Sequence, residues 1–152
     1  RPVLRAFKGV EHRIEFVRAL AGVSYYNDSK ATNTDSAIKA LEAFDGHIIL
    51  IAGGDDKLTD LGEFMELVHA RVDELILVGD AAERFAAAAR DAGIPEAQIH
   101  RVGYHMEKAV QLARELAAEG QIVLLSPACA SFDMYGGYEE RGRDFKRLVN
   151  EL

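Results

Sequence analysis

Val23-Ser24-Tyr25-Tyr26-Asn27-Asp28-Ser29-Lys30-Ala31-Thr32-Asn33-Thr34-Asp35-Ser36-Ala37-Ile38-Lys39-Ala40-Leu41 is the stretch on which the fold turns. Residues 23–26 form an apolar run with strand propensity. From Thr34 onward the apolar positions Ala37, Ile38, Leu41 and Phe44 share one helical face, predicting a helix over 34–44 that Thr32, Asn33 or Thr34 could cap. Between the two, residues 27–33 pack a carboxylate, an ammonium, two hydroxyls and two amides into seven positions. Packing does not require such density. A strand that runs through a polar loop into a helix is half of a βαβ unit, and in open α/β sheets that loop is where ligands bind.

Working outward, the alternation continues. Strands are expected over 47–52, 75–78, 99–102 and 122–125, and helices over 61–70, 81–92, 106–118 and 138–152. Gly93-Ile94-Pro95 breaks the third helix. Residues 14–20 alternate loosely as an edge strand would, and reach residue 23 through the short turn at Ala21-Gly22, so this strand is expected to run antiparallel to its neighbour. Short apolar strands separated by amphipathic helices build a parallel sheet covered on both faces. The expected fold is therefore a three-layer, Rossmann-like α/β domain with about six strands, mostly parallel, one antiparallel at the edge.

The 152 residues match one domain, and 49% apolar with 28% charged residues suits a globular core. A net charge of −7 argues against a nucleic-acid surface or an anionic membrane surface as partner, since either calls for a basic patch. No apolar run approaches the ~20 residues that span a bilayer, and no signal segment opens the chain, so a cytoplasmic location is expected. The single cysteine, Cys129, forms no internal disulfide and is expected to pack as a small apolar group.

Three expected strand ends carry unusual polarity: 27–33, then Gly53-Gly54-Asp55-Asp56-Lys57, then Ser126-Pro127-Ala128-Cys129-Ala130-Ser131-Phe132-Asp133. Gly53-Gly54 would let the backbone approach a ligand, and Lys57 offers a mobile charge for a carboxylate or phosphate. Taken alone, a Gly-Gly-Asp turn with its lysine in solvent is an ordinary turn. Beside Lys30 and Thr32 it reads as an anion site, because two lysines at adjacent strand ends would repel without an anion between them. Ser126 to Ser131 leaves amides and hydroxyls free to donate, or is a loop whose serines cap their own backbone. Tyr138 would anchor the loop or cover a ligand's stem. His12-Arg13 reads as a surface pair and Asp80 as a helix N-cap, while the other histidines lack metal-ligand spacing. No phosphate loop, dinucleotide fingerprint or nucleophile elbow is present, so this domain alone should not hydrolyse a nucleotide.

Asp28-Ser29-Lys30-Ala31-Thr32-Asn33, Gly53-Gly54-Asp55-Asp56-Lys57, residues 125–133 and Tyr138-Glu139-Glu140-Arg141-Gly142-Arg143-Asp144-Phe145 together resemble the C-terminal domain of the D-glutamate-adding members of the Mur ligase family, over essentially the whole chain. The resemblance implies a three-domain cytoplasmic enzyme of peptidoglycan precursor synthesis. In it, ATP phosphorylates the alanyl carboxylate of UDP-N-acetylmuramoyl-L-alanine, and the amine of D-glutamate attacks the acyl phosphate. Residues 1–11 would be the linker from a central ATPase domain that also holds most of the Mg2+ coordination, and 12–152 the amino-acid-binding domain packed on it. By the same resemblance, Lys30 and Lys57 are the catalytic lysines. D-Glutamate would be held by Lys30, Thr32, Lys57, Ser131, Phe132 and Tyr138, and ATP touched by Arg13 and Asp28, with no metal ligand in this chain. Two alternatives carry different expectations. A sister ligase, or a folylpolyglutamate-type ligase, would add another amino acid. A phospho-acceptor receiver module would need a lysine after the strand ending at Leu125, where none stands.

Overall fold

The strand, loop and helix of the first stretch fold as expected in a computed structural model that describes residues 10–152; the linker expected over 1–11 lies outside the described residues apart from Val10 and Glu11. Strand β2 (Val23–Asn27) is buried along its whole length and leads through the polar loop into helix α1 (Thr34–Glu42). Asn33 caps that helix, its Oδ1 accepting the Ser36 N–H at 2.9 Å. Strand β1 (Glu15–Leu20) pairs antiparallel with β2. Ala21 (φ 54°) and Gly22 (φ 80°) join them in a two-residue turn of the kind that matches strand twist.

The remaining elements alternate: β3 (Ile48–Gly53), α2 (Gly62–Arg71), β4 (Val72–Val78), α3 (Ala82–Asp91), β5 (Ile99–Arg101), α4 (Met106–Leu116), β6 (Ile122–Leu125) and α5 (Tyr138–Asn150). A 3₁₀ turn at Glu96–Gln98 precedes β5. The six strands stand in the order β1-β2-β6-β3-β4-β5, and only the β1–β2 pair is antiparallel. One core, with Leu41, Phe64, Met65 and Phe85, lies under α1, α2 and α3. The other, with Met106, Val110, Phe145 and Val149, lies under α4 and α5. The sheet is thus sandwiched, three helices on one face and two on the other.

Three expectations need correction. Strand β4 begins at Val72 rather than 75, directly after α2, because Val72 and Glu74 pair with Ile48 and Ile49 although Asp73 and Glu74 interrupt the apolar run. The ends of β2 and β3 are not adjacent, since β6 lies between them and pairs with both. Asp80 does not cap α3, whose N-cap is Ala81 with no side-chain bond. Its carboxylate instead accepts from the Tyr104 hydroxyl, and its N–H donates to Asp133 Oδ2 at 2.9 Å.

Candidate functional site

The parallel strands present three carboxyl ends side by side in the order β2, β6, β3, and their loops are stitched together. From β2, Asp28 Oδ2 accepts the Ser126 hydroxyl at 2.7 Å, and the Ala31 carbonyl accepts the Ala128 N–H at 3.0 Å. From β3, the N–H groups of Gly53 and Asp55 donate to the carbonyls of Pro127 (3.0 Å) and Ala130 (2.9 Å). The two glycines serve this stitching. A Cβ on Gly53 would stand 2.1 Å from the Val78 carbonyl, and one on Gly54 2.5 Å from that of Ala130, so their close approach is to neighbouring backbone rather than to a ligand. Ser126 spends its hydroxyl on Asp28 and not on its own backbone.

A fourth piece, the start of α5, locks onto the first loop. Arg141, only 3% exposed, donates from Nε to Ser29 Oγ (2.9 Å) and from Nη2 to the Ser29 carbonyl (2.8 Å). The Ser29 hydroxyl in turn donates to the Tyr138 carbonyl at 2.7 Å. Burial lowers the Arg141 guanidinium to about 10, still charged at neutral pH. Its Nη1, with Ser131 Oγ and Asp133 Oδ1, has no hydrogen-bond partner among the described residues. Ser131, Asp133 and Arg141 line one tight void beside Gly53 and Gly54 that leaves no space for a water molecule. Such a cluster of orphaned polar groups is costly unless another state of the domain satisfies them.

His12 corrects the surface reading of the His12-Arg13 pair: Arg13 is exposed, but His12 is 3% exposed with φ 67°. Asn27 turns its Oδ1 to the Ser29 N–H (3.1 Å), which directs its Nδ2 to His12 Nδ1 (2.9 Å). That ring nitrogen is then the acceptor and Nε2 carries the proton. Burial pushes the His12 pKa down, toward the neutral ring. The ring also meets that of Tyr138, the first residue of α5, edge-on, with centroids 6.0 Å apart. The His12 carbonyl accepts the Lys30 N–H at 2.9 Å.

Arg13, Ile14, Asp28, Lys30, Ala31, Ser36 and Lys39 line a cavity of about 430 Å³ between the start of β1 and the first turns of α1. Asp28 also accepts the Ile14 N–H at 3.0 Å, and burial pushes its carboxyl up to about 7. The structure thus gathers Arg13, Asp28 and Lys30 into one cavity and sets Ser131 in the tight void, while Thr32, Lys57, Phe132 and Tyr138 line neither. Lys57 and Phe132 (69% exposed) stand on the loop surfaces, and Thr32 and Tyr138 are half-buried. Cys129 packs as expected, 2% exposed, with burial pushing its thiol up to about 12.

Sequence reasoning assigned no role to Arg141, Ser29 or His12. For Arg141 a signal existed: Arg141, Phe145 and Val149 recur every four residues and form the buried stripe of α5. For cation ligands, the described residues offer one compact group, Glu11, His12 and Glu15. It does not fit a magnesium ion, because Lys146 Nζ already binds both carboxylates (2.8 and 3.2 Å) and His12 Nε2 is protonated.

An open, mostly parallel sheet with helices on both faces and polar loops stitched together at its carboxyl ends defines a Rossmann-like α/β domain. Residues 12–129 match the family described as "Mur ligase, glutamate ligase domain", and the chain belongs to that family. The UDP-N-acetylmuramoylalanine--D-glutamate ligase of Thermoanaerobacter sp. (strain X514) is 52% identical over 149 residues, covering 98% of this chain and 33% of the relative. That of Clostridioides difficile (strain 630) is 49% identical over 152 residues, covering 100% and 33%. The chain spans about a third of the length of these curated relatives. Among solved structures, a Mycobacterium tuberculosis folylpolyglutamate synthase complexed with ADP superposes with a TM-score of 0.63 at 15% identity, covering 94% of this chain and 33% of that one. The MurF ligase of Thermotoga maritima in complex with ADP gives 0.53 at 18%, covering 95% and 32%. At such identities the likeness is one of fold.

Proposed function

We propose that this chain is the amino-acid-binding third of an ATP-dependent ligase that joins D-glutamate to UDP-N-acetylmuramoyl-L-alanine through an acyl phosphate, with residues 12–152 as the domain and 1–11 as its link to a central ATPase domain. The observation that carries the reading is the convergence of the three strand-end loops with Lys30, Thr32, Lys57 and Ser131 on them, in a chain about half identical to ligases of that name. A dicarboxylate needs two anion sites, and two lysines with nearby hydroxyl and amide donors supply them. Lys30 and Lys57 take the carboxylates, Thr32 donates from its hydroxyl and Ser131 from its backbone N–H, and Phe132 and Tyr138 cover the apolar stem.

In this reading the domain acts by positioning. Holding the amine beside its electrophile replaces a bimolecular encounter, an effect worth ~7–11 kcal/mol in favourable cases. The cavity of Arg13, Asp28, Lys30, Ser36 and Lys39 suits an anionic nucleotide: three of its five polar side chains are cationic. Arg13 and Asp28 would touch the ribose and adenine side there. ATP supplies the phosphoryl group that activates the acceptor carboxylate. Magnesium would be held mainly by the central domain, since the Glu11, His12 and Glu15 group does not fit it.

The test is amino-acid-dependent phosphate release by the full-length protein. D-Glutamate should support turnover in the presence of UDP-N-acetylmuramoyl-L-alanine, and L-lysine or meso-diaminopimelate should not. Turnover with either diamino acid and none with D-glutamate would refute the assignment.

A further inference from the structure

We propose that Arg84, in the first turn of α3, is the positioning residue that sets where Lys57 stands. This rests on the reading above, in which Lys57 meets a carboxylate of D-glutamate. The segment from Asp55 to Leu61 contains neither helix nor strand beyond one bridge, Asp55 to Ala130, so nothing regular fixes Lys57. Before it, the loop is tied down by the Gly53 and Asp55 amides described above. After it, the chain turns outward at Leu58, which is 75% exposed and left-handed (φ 60°), so apolar packing does not hold it there.

A single guanidinium does. Arg84, in the first turn of α3, donates from Nε to Asp56 Oδ2 (2.8 Å) and from Nη2 to Asp56 Oδ1 (3.0 Å), and Nη2 also donates to the Thr59 carbonyl (2.9 Å). Asp56 Oδ1 accepts the Leu58 N–H at 2.8 Å. Lys57 is therefore bracketed by Asp56 and Thr59, and both are held by the same planar fork. A bidentate arginine–carboxylate pair fixes direction as well as distance, which a lysine in the same place could not do. The Asp56 carboxylate is 15% exposed and held below the usual aspartate range by Arg84, as expected of a pair that stays made. Among the described residues the Lys57 ammonium itself has no hydrogen bond or ion pair, so its position follows from where the backbone of 56–59 puts its Cα.

Arg84 touches no candidate ligand contact; it acts through Lys57. The test is steady-state kinetics on the full-length protein, with D-glutamate and ATP varied separately. Lys57→Ala should raise the D-glutamate KM about 10- to 100-fold, the size of a lost hydrogen bond to a charged group. Arg84→Met should raise it about tenfold, within the ~10²-fold that a 1 Å misplacement can cost, with the ATP KM unchanged within about twofold. In the Lys57→Ala background Arg84→Met should add nothing. Should Arg84→Met fail to fold, Asp56→Asn, which keeps an acceptor for Leu58 but weakens the fork, should give about a threefold rise that also vanishes in that background. A multiplicative double mutant, or equal changes in both KM values, would make Arg84 merely structural and overturn the proposal. A normal D-glutamate KM for Lys57→Ala would overturn the site reading itself. A raised one, with Arg84→Met and Asp56→Asn both normal, would overturn only the role of Arg84.

Discussion

Replacing Asp28 with asparagine should change how stability depends on pH. The Asp28 carboxyl is pushed from 3.8 to about 7 by burial, despite accepting from Ile14 and Ser126. The folded chain thus holds this proton more tightly than the unfolded chain does. The resulting stabilisation is complete below about pH 3.8 and is lost as pH rises through about 7. At ~1.4 kcal/mol per pH unit, the loss between pH 5 and pH 8 is about 2–3 kcal/mol. His12 works the other way: pushed down by burial, it favours the fold more as pH rises toward the ordinary histidine value of 6.5. The total profile therefore mixes signs, and only the difference between the two proteins isolates Asp28. Asparagine keeps an acceptor for Ile14 and can donate to the Ser126 oxygen. Urea unfolding of both chains at pH 5, 6, 7 and 8, with matched m-values, should show the stability gap moving in favour of Asp28→Asn by about 2–3 kcal/mol from the lowest to the highest pH. Profiles parallel within about 0.5 kcal/mol would refute the buried, proton-linked carboxyl.

Two further outcomes follow from packing. Gly142→Ala, which in a free helix would gain up to ~1 kcal/mol, should instead cost ~1–3 kcal/mol in denaturant unfolding, because its Cβ would stand 2.1 Å from His12 Nδ1; an unchanged midpoint would refute the seating of α5 on His12. Cys129 should resist iodoacetamide at pH 8 in the folded chain and react fully in urea, read by intact mass; stoichiometric labelling of the folded chain would contradict its burial.

Most of the secondary structure was legible because apolar runs and helical stripes are local: β6 appears at its expected bounds, and α1 begins at its expected Thr34. The strand order was not, because the insertion of β6 between β2 and β3 depends on which of several apolar strands packs where. The beginning of β4 was hidden by Asp73 and Glu74, whose backbone pairs although their side chains are charged. In the candidate site, polar density singled out three loops that the fold sets side by side, but it could not say which groups face each other. That both Asp28 oxygens accept from within the domain, from Ile14 and from Ser126, the latter 98 residues away, is invisible in the sequence. His12 looked like surface because its partner Asn27 stands 15 residues on, at the end of β2. Arg84 gave no signal at all, since a half-exposed helical arginine is commonplace until its fork is seen to close on Asp56.

The brace between Arg141 and Ser29 joins groups 112 residues apart. The stretch shared most recognisably with the family ends at residue 129, before Ser131, Tyr138, Arg141 and the whole of α5. A boundary drawn there therefore separates Ser29 from the guanidinium that braces it. A fragment trimmed to that span would keep all six strands and lose α5 with its brace. The same holds in time during synthesis: all six strands are available before α5, and the loop after β2 is braced only when that helix docks.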